Sequence, residues 1–155
     1  MSKTQHIASI TLDESSVPSR AGLLDHERSV AMNDIVEWNH FAIKNAEGPY
    51  DLQLKSAENR ITLTATSQKL AKPITIAIPL AAFRSLIRDY FLICESYFEA
   101  VKLGNVPRIQ AIDMSRRGLH NEGSELLTTL LADKVTMDSE TSRRLFTLIC
   151  VLHLK

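Results

Sequence analysis

A change of hydrophobic period at Pro79 constrains this chain more than any other feature. Before it, three short segments alternate apolar with polar residues: Tyr50, Leu52 and Leu54, then Ile61, Leu63 and Ala65, then Ile74, Ile76 and Ile78. That is the period of strands with one buried face. After it, Phe83, Leu86, Ile87, Tyr90, Cys94, Tyr97 and Val101 recur at helical spacing and make one continuous apolar stripe. The connections between the alternating segments, Ala57 to Arg60 and Ser67 to Lys72, are short and polar, as antiparallel hairpins require. The pattern predicts a meander followed by helices, not an alternating βαβ fold.

The remaining segments extend this reading. From His6 to Leu12, Ala8, Ile10 and Leu12 alternate with polar residues and predict a first strand. Asp13 to Leu24 reads as a surface connection, and Asp25 as the N-cap of a helix reaching about Trp38, with Ala31, Ile35 and Trp38 on one face. The long stripe predicts a helix from Leu80 to Leu103, ended by Gly104, with Pro107 in the first turn of the next. That next helix runs to about Asp133 on Ile109, Ile112, Leu119, Leu126 and Leu130. Gly118 and Gly123 each weaken it by about 1 kcal/mol relative to alanine, which allows a break near Gly118 and leaves open whether the helix runs through. Val135 to Met137 predicts a short strand, and Asp138 caps a final helix, Ser139 to His153, apolar on nearly every side and therefore central. The expected fold class is α+β: an antiparallel sheet of about four strands, the N-terminal strand plus the meander, covered by the helical C-terminal half. One domain spanning residues 1–155 is expected at this length.

Charge and cysteine usage narrow the partners. Eighteen basic residues balance eighteen acidic ones, so no net field draws in a polyanion, and nucleic acid is disfavoured. Cys94 and Cys150 both lie in apolar stretches and read as reduced, buried thiols rather than a disulfide framework. The longest apolar run, Leu148 to Leu152, is far too short to cross a bilayer, and no export signal is recognised, so a cytoplasmic protein without a membrane partner is expected.

Three stretches carry a family resemblance: Asp89 to Tyr97, Arg116 to Gly123, and Arg143 to His153. Together with His26-Glu27-Arg28, Gly48-Pro49-Tyr50 and Glu58-Asn59-Arg60, they resemble an uncharacterised bacterial family found mainly in alphaproteobacteria, over nearly the whole chain. The resemblance implies a bacterial, cytoplasmic protein and brings no activity, cofactor or catalytic residue with it.

The densest polar cluster runs from Arg116 to Glu125. If the helix breaks at Gly118, Arg116, Arg117 and His120 would face free N–H groups of a new first turn and could hold a phosphate or carboxylate, with Glu122 as orienting partner or base. The competing reading is structural: the arginines pair with Asp113, Glu95 or Glu99 across a helix contact. His120 with Ser124 lacks a third orienting group, and Cys150, His153 and Cys94 lack a fourth ligand, so neither a hydrolase nor a metal centre is expected. No nucleotide loop or other cofactor motif occurs. Tyr90, Phe91, Tyr97 and Phe98 have the spacing of core packing rather than of a stacking platform. Two functional readings follow: an accessory or protein-interaction domain acting on a partner or a second copy of itself, and a small-anion binder or enzyme using the Arg116–Glu125 cluster. The residues leave open whether the chain is an enzyme.

Overall fold

The computed structural model describes residues 5–13, 25–57 and 59–153. In chain order the elements are β1 (Ile7–Asp13), α1 (Asp25–Glu37), β2 (Phe41–Ile43), β3 (Tyr50–Ala57), β4 (Arg60–Thr66), β5 (Ile74–Pro79), a short 3-10 turn, α2 (Arg84–Leu103), α3 (Val106–Leu131), β6 (Val135–Met137) and α4 (Ser139–His153). The fold class is α+β as expected. The meander forms with its alternating residues inward: Tyr50, Leu52, Leu54, Ile61, Leu63, Ala65, Ile76 and Ile78 are all buried.

The main sheet has the order β1-β3-β4-β5 and is mixed, because β1 pairs with β3 in parallel. This corrects the expectation of a wholly antiparallel sheet. A strand's apolar period states which face is buried but not the direction of its neighbour. In β1 the register slips between Ile7 and Ser9, so Ile7 and Ile10 both turn inward while Ala8 is exposed. The side chain of Asn39, just past α1, accepts from the Ile7 N–H at 2.6 Å and donates to the Ile7 carbonyl at 3.1 Å. It also donates to the Ile35 carbonyl, which ties the end of α1 to β1.

A second, two-stranded sheet joins β2 to β6. The Tyr50 hydroxyl braces its approach, accepting from the Ile43 N–H at 3.0 Å and donating to the Ala46 carbonyl. Asp138 caps α4 as expected, accepting from the Thr141 N–H and hydroxyl, and it also accepts from the His40 N–H. From Leu145 to Leu152 every residue of α4 is buried, which places this helix at the centre, packed on α1, α3 and β3.

The turn between α2 and α3 follows its sequence signals. Gly104 adopts φ 66° to close α2, and the Asn105 side chain accepts from the Arg108 N–H to open α3, with Pro107 in its first turn. The question left open at Gly118 is answered by a continuous helix: α3 runs unbroken over 26 residues. Two glycines are not enough to stop a helix held by packing along its length. Gly123 has a packing reason, since a Cβ there would lie 2.5 Å from three ring atoms of Phe146. The most deeply buried line of α3 is therefore Gly123, Ser124, Leu127 and Leu131, with Leu119, Leu126 and Leu130 beside it. Trp38 departs from its expected face: α1 ends at Glu37, and Trp38 is 60% exposed. Val101 is also exposed, and Ala100 is buried instead.

Candidate ligand-binding cleft

The polar residues of three helices meet at one cleft of about 190 Å³. Helix α1 lines it with Glu27, Val30, Ala31 and Asp34, and α4 with Glu140, Arg143, Arg144 and Thr147, both at positions i, i+3, i+4 and i+7. That spacing gives each helix one face toward the other. From α3 comes His120.

Below the cleft a hydrogen-bonded chain crosses the core. Tyr90 Oη donates to Glu27 Oε2 at 3.4 Å, and the Thr147 hydroxyl donates to the Arg143 carbonyl at 3.1 Å. His120 Nε2 lies 3.2 Å from both hydroxyl oxygens. With both hydroxyl protons already directed elsewhere, all four contacts are satisfied together when Nε2 carries the proton and donates. Burial, then the charges of Arg143 and Arg116, lower the His120 pKa to about 4. The ring is therefore neutral at pH 7 and a weak base, far from the near-neutral pKa that general acid–base work favours. Burial, with Cys94 and Glu27 nearby, raises the Tyr90 pKa far above its usual value, so its hydroxyl remains a proton donor.

Each sequence-predicted site residue has a definite place. Arg116 Nη1 meets Glu27 Oε1 at 2.7 Å and Nη2 meets Asp113 Oδ1 at 2.8 Å, while its guanidinium stacks 4.6 Å from the centre of the Tyr97 ring. Burial opposes this charge, but Glu27 and Asp113 outweigh it and hold Arg116 above its usual range. Asp113 was an expected partner, whereas Glu27, 89 residues away, was not. Arg117 reaches Asp113 at 3.1 Å but is 71% exposed, which makes that a surface pair of small value. Glu122 lies elsewhere, in a groove between α2 and α3. The structure thus brings Arg116 and His120 together around Glu27 and Tyr90, joins Arg117 to them only from the surface through Asp113, and leaves Glu122 apart. Because α3 is continuous, no helix start at Gly118 offers free N–H groups to an anion. The Ser124 hydroxyl donates to the Ser139 carbonyl rather than to His120.

Sequence reasoning missed Asp34, Glu140, Arg143, Arg144 and Thr147 as a group. The usable signal was the polar i, i+3, i+4, i+7 stripe on α4, hidden by the apolar residues between its members. Among the described residues, no group of three or more His, Cys, Asp or Glu is placed to hold a metal ion. Cys94 and Cys150 are free and buried, and the side chain of His153 lies outside the described residues.

The chain is 48% identical over 151 residues to a UPF0262 protein of Rhodospirillum rubrum, covering 97% of this chain and 93% of the relative. It is 46% identical to a UPF0262 protein of Paramagnetospirillum magneticum, covering 100% of this chain and 99% of that relative. A third UPF0262 protein, from Azorhizobium caulinodans, is 44% identical over 96% of this chain and 94% of its own length. No solved structure matches the chain. The model of the uncharacterised protein family UPF0262 matches residues 4–155, and with these alphaproteobacterial relatives it shows that the chain belongs to that family.

Proposed function

We propose that this chain is a cytoplasmic, single-domain accessory protein that binds an amphipathic helix of a partner protein in the groove between α2 and α3. The observation that carries this reading is the groove itself, about 480 Å³ and lined by Asp89, Leu92 and Ile93 of α2 and Ser115, Gly118, Leu119 and Glu122 of α3. Its residues repeat at i, i+3 and i+4 on one helix and i, i+3, i+4 and i+7 on the other, so two helix faces form a trough that suits a third helix. Leu92 is 50% exposed, and Met114, beside Ser115 in sequence, is 73% exposed. Five of the eight exposed large apolar residues among those described belong to the α2–α3 hairpin, which concentrates apolar surface there. Gly118 supports the same reading: nothing lies within 4 Å of a Cβ placed there, so no internal contact requires glycine, yet its bare backbone lets another chain approach closely. Asp89 and Glu122 stand on the two walls and favour basic residues flanking the apolar face of the incoming helix. The cytoplasmic assignment is supported by two free, buried thiols, and no described helix is long and apolar enough to cross a membrane.

The test is affinity purification of the full chain from an alphaproteobacterial host, with Leu92→Asp and Ser115→Arg as groove variants and Gln68→Asp as a remote control. A partner that is lost in both groove variants, is retained by the control, and cross-links through a helix with apolar residues at i, i+3 or i+4, and i+7 is the expected result. A partner insensitive to the groove variants would overturn the proposal. So would a dimer in light scattering that Leu92→Asp dissociates, which would place a second copy of this chain in the groove.

A further inference from the structure

We propose that the cleft between α1 and α4 is a binding site for a small zwitterion of the α-amino-acid type, its carboxylate held by Arg144 and Arg143 and its ammonium by Asp34 and Glu140. Arg144 carries the inference. Its Nη1 is buried without a hydrogen-bond partner among the described residues. Its Nη2 lies 3.6 Å from Glu140 Oε2 and 3.8 Å from Asp34 Oδ2, and Arg143 Nη1 lies 3.7 Å from Glu140 Oε1. These are charge contacts, all longer than the 2.7–3.2 Å or so of a hydrogen bond. The neighbouring Arg116, by contrast, closes on its two carboxylates at 2.7 and 2.8 Å. Two guanidiniums and two carboxylates therefore face one cleft without using up each other's donors and acceptors. A buried donor left unpaired costs roughly 1–3 kcal/mol, and a rotation of the Arg144 guanidinium that turns Nη1 from its buried side onto a carboxylate in the cleft would recover that.

The balance of charge selects the ligand class. Glu27 is neutralised by Arg116, and His120 is uncharged at pH 7, which leaves Arg143 and Arg144 against Asp34 and Glu140. A phosphate would bring two negative charges beside two carboxylates with no net positive field to offset them. A simple carboxylate would leave the two acids unanswered, and a simple amine the two arginines. A ligand carrying both groups a short distance apart, and neutral overall, answers both pairs. Guanidinium also presents the planar fork that matches a carboxylate. The volume of about 190 Å³ corresponds to about six water molecules at roughly 30 Å³ each, the scale of an amino acid with a small side chain. Val30 and Glu140 at the cleft are exposed, so its mouth is open to solvent and only the Arg144 guanidinium has to turn to present Nη1.

The experiment is thermal denaturation of the full chain titrated with glycine, L-alanine and L-serine, against acetate, methylamine and inorganic phosphate as probes of the separate charges. At saturation the amino acids should raise Tm by about 5 °C or more, while the three controls do not. Isothermal titration calorimetry should then show at least a tenfold loss of L-alanine affinity in Arg144→Gln and in Asp34→Asn. Asp34 is half exposed, so its variant keeps the test decisive if Arg144→Gln does not fold. The proposal is overturned if no amino acid shifts Tm, if acetate or phosphate alone shifts it as far, or if Asp34→Asn binds L-alanine as tightly as the parent chain. None of these measurements depends on the α2–α3 groove, so their outcome is independent of partner binding there.

Discussion

Acid should destabilise this protein through His120. The folded state holds that imidazole near pKa 4 against an ordinary 6.5, because the ring is buried and faces the charges of Arg143 and Arg116, with Asp113 a smaller opposing influence. Between those two values the unfolded chain binds a proton that the folded chain does not. Stability is therefore lost as pH falls through about 6.5 toward 4, and the loss levels off below the folded value. The full shift corresponds to about 3 kcal/mol, and the interval from pH 7 to pH 4.5 to about 2 kcal/mol after allowance for the partly exposed ring. The assay is urea denaturation of the parent chain and of His120→Gln at both pH values. Glutamine keeps an N–H for Tyr90 and Thr147 but does not titrate. The parent should lose about 2 kcal/mol more than the variant over the interval. Parallel losses in the two proteins would show that His120 titrates normally and that the buried, doubly bonded ring described above is wrong.

The two glycines of α3 should respond oppositely to alanine. Gly118→Ala should stabilise by roughly 0.5–1 kcal/mol, because a Cβ there meets nothing. Gly123→Ala should destabilise by about 1–3 kcal/mol as the Phe146 ring is forced aside, and both effects are read from urea midpoints at constant m-value. Cys94 and Cys150 should resist a thiol reagent until denaturant is added: burial, then the Glu27 charge, pushes the first to about 12, and burial with Cys94 nearby pushes the second well above its usual value. Rapid native labelling would contradict the packing of both. Leu145→Ala and Ile149→Ala should each cost about 2–5 kcal/mol by equilibrium unfolding, and a loss below about 0.5 kcal/mol would remove α4 from the centre of the core.

What could be read from the sequence is what local chemistry encodes. The meander is fixed by three alternating triplets and two short connections, α2 by its stripe and Gly104, and α4 by Asp138 and a run of apolar residues. The direction of β1 was not readable, because Ile10 and Leu12 pack inward equally well beside a parallel or an antiparallel neighbour. Strand β2, only Phe41–Ile43, is too short to show a period and owes its existence to β6, far along the chain. At the candidate sites the same division holds. Asp113 lies three residues from Arg116 and was foreseeable on a helix, but Glu27 reaches it only because α1 packs beside α3. Continuity through Gly118 likewise depended on tertiary packing, which overrides a propensity difference of about 1 kcal/mol.

The clamp that Asn39 places on Ile7 has a further consequence for how the molecule meets its own copies. Strand β1 is an edge of the main sheet, and an edge strand offers unpaired backbone groups to any other extended chain, the usual beginning of aggregation. At Ile7 both outward groups are already engaged by one side-chain amide, which occupies the place a neighbouring strand would take. The register slip at Ala8 bends the rest of that edge away from a flat template. A parallel edge strand, otherwise an invitation to intermolecular pairing, is thereby blocked on its first rung by a single asparagine.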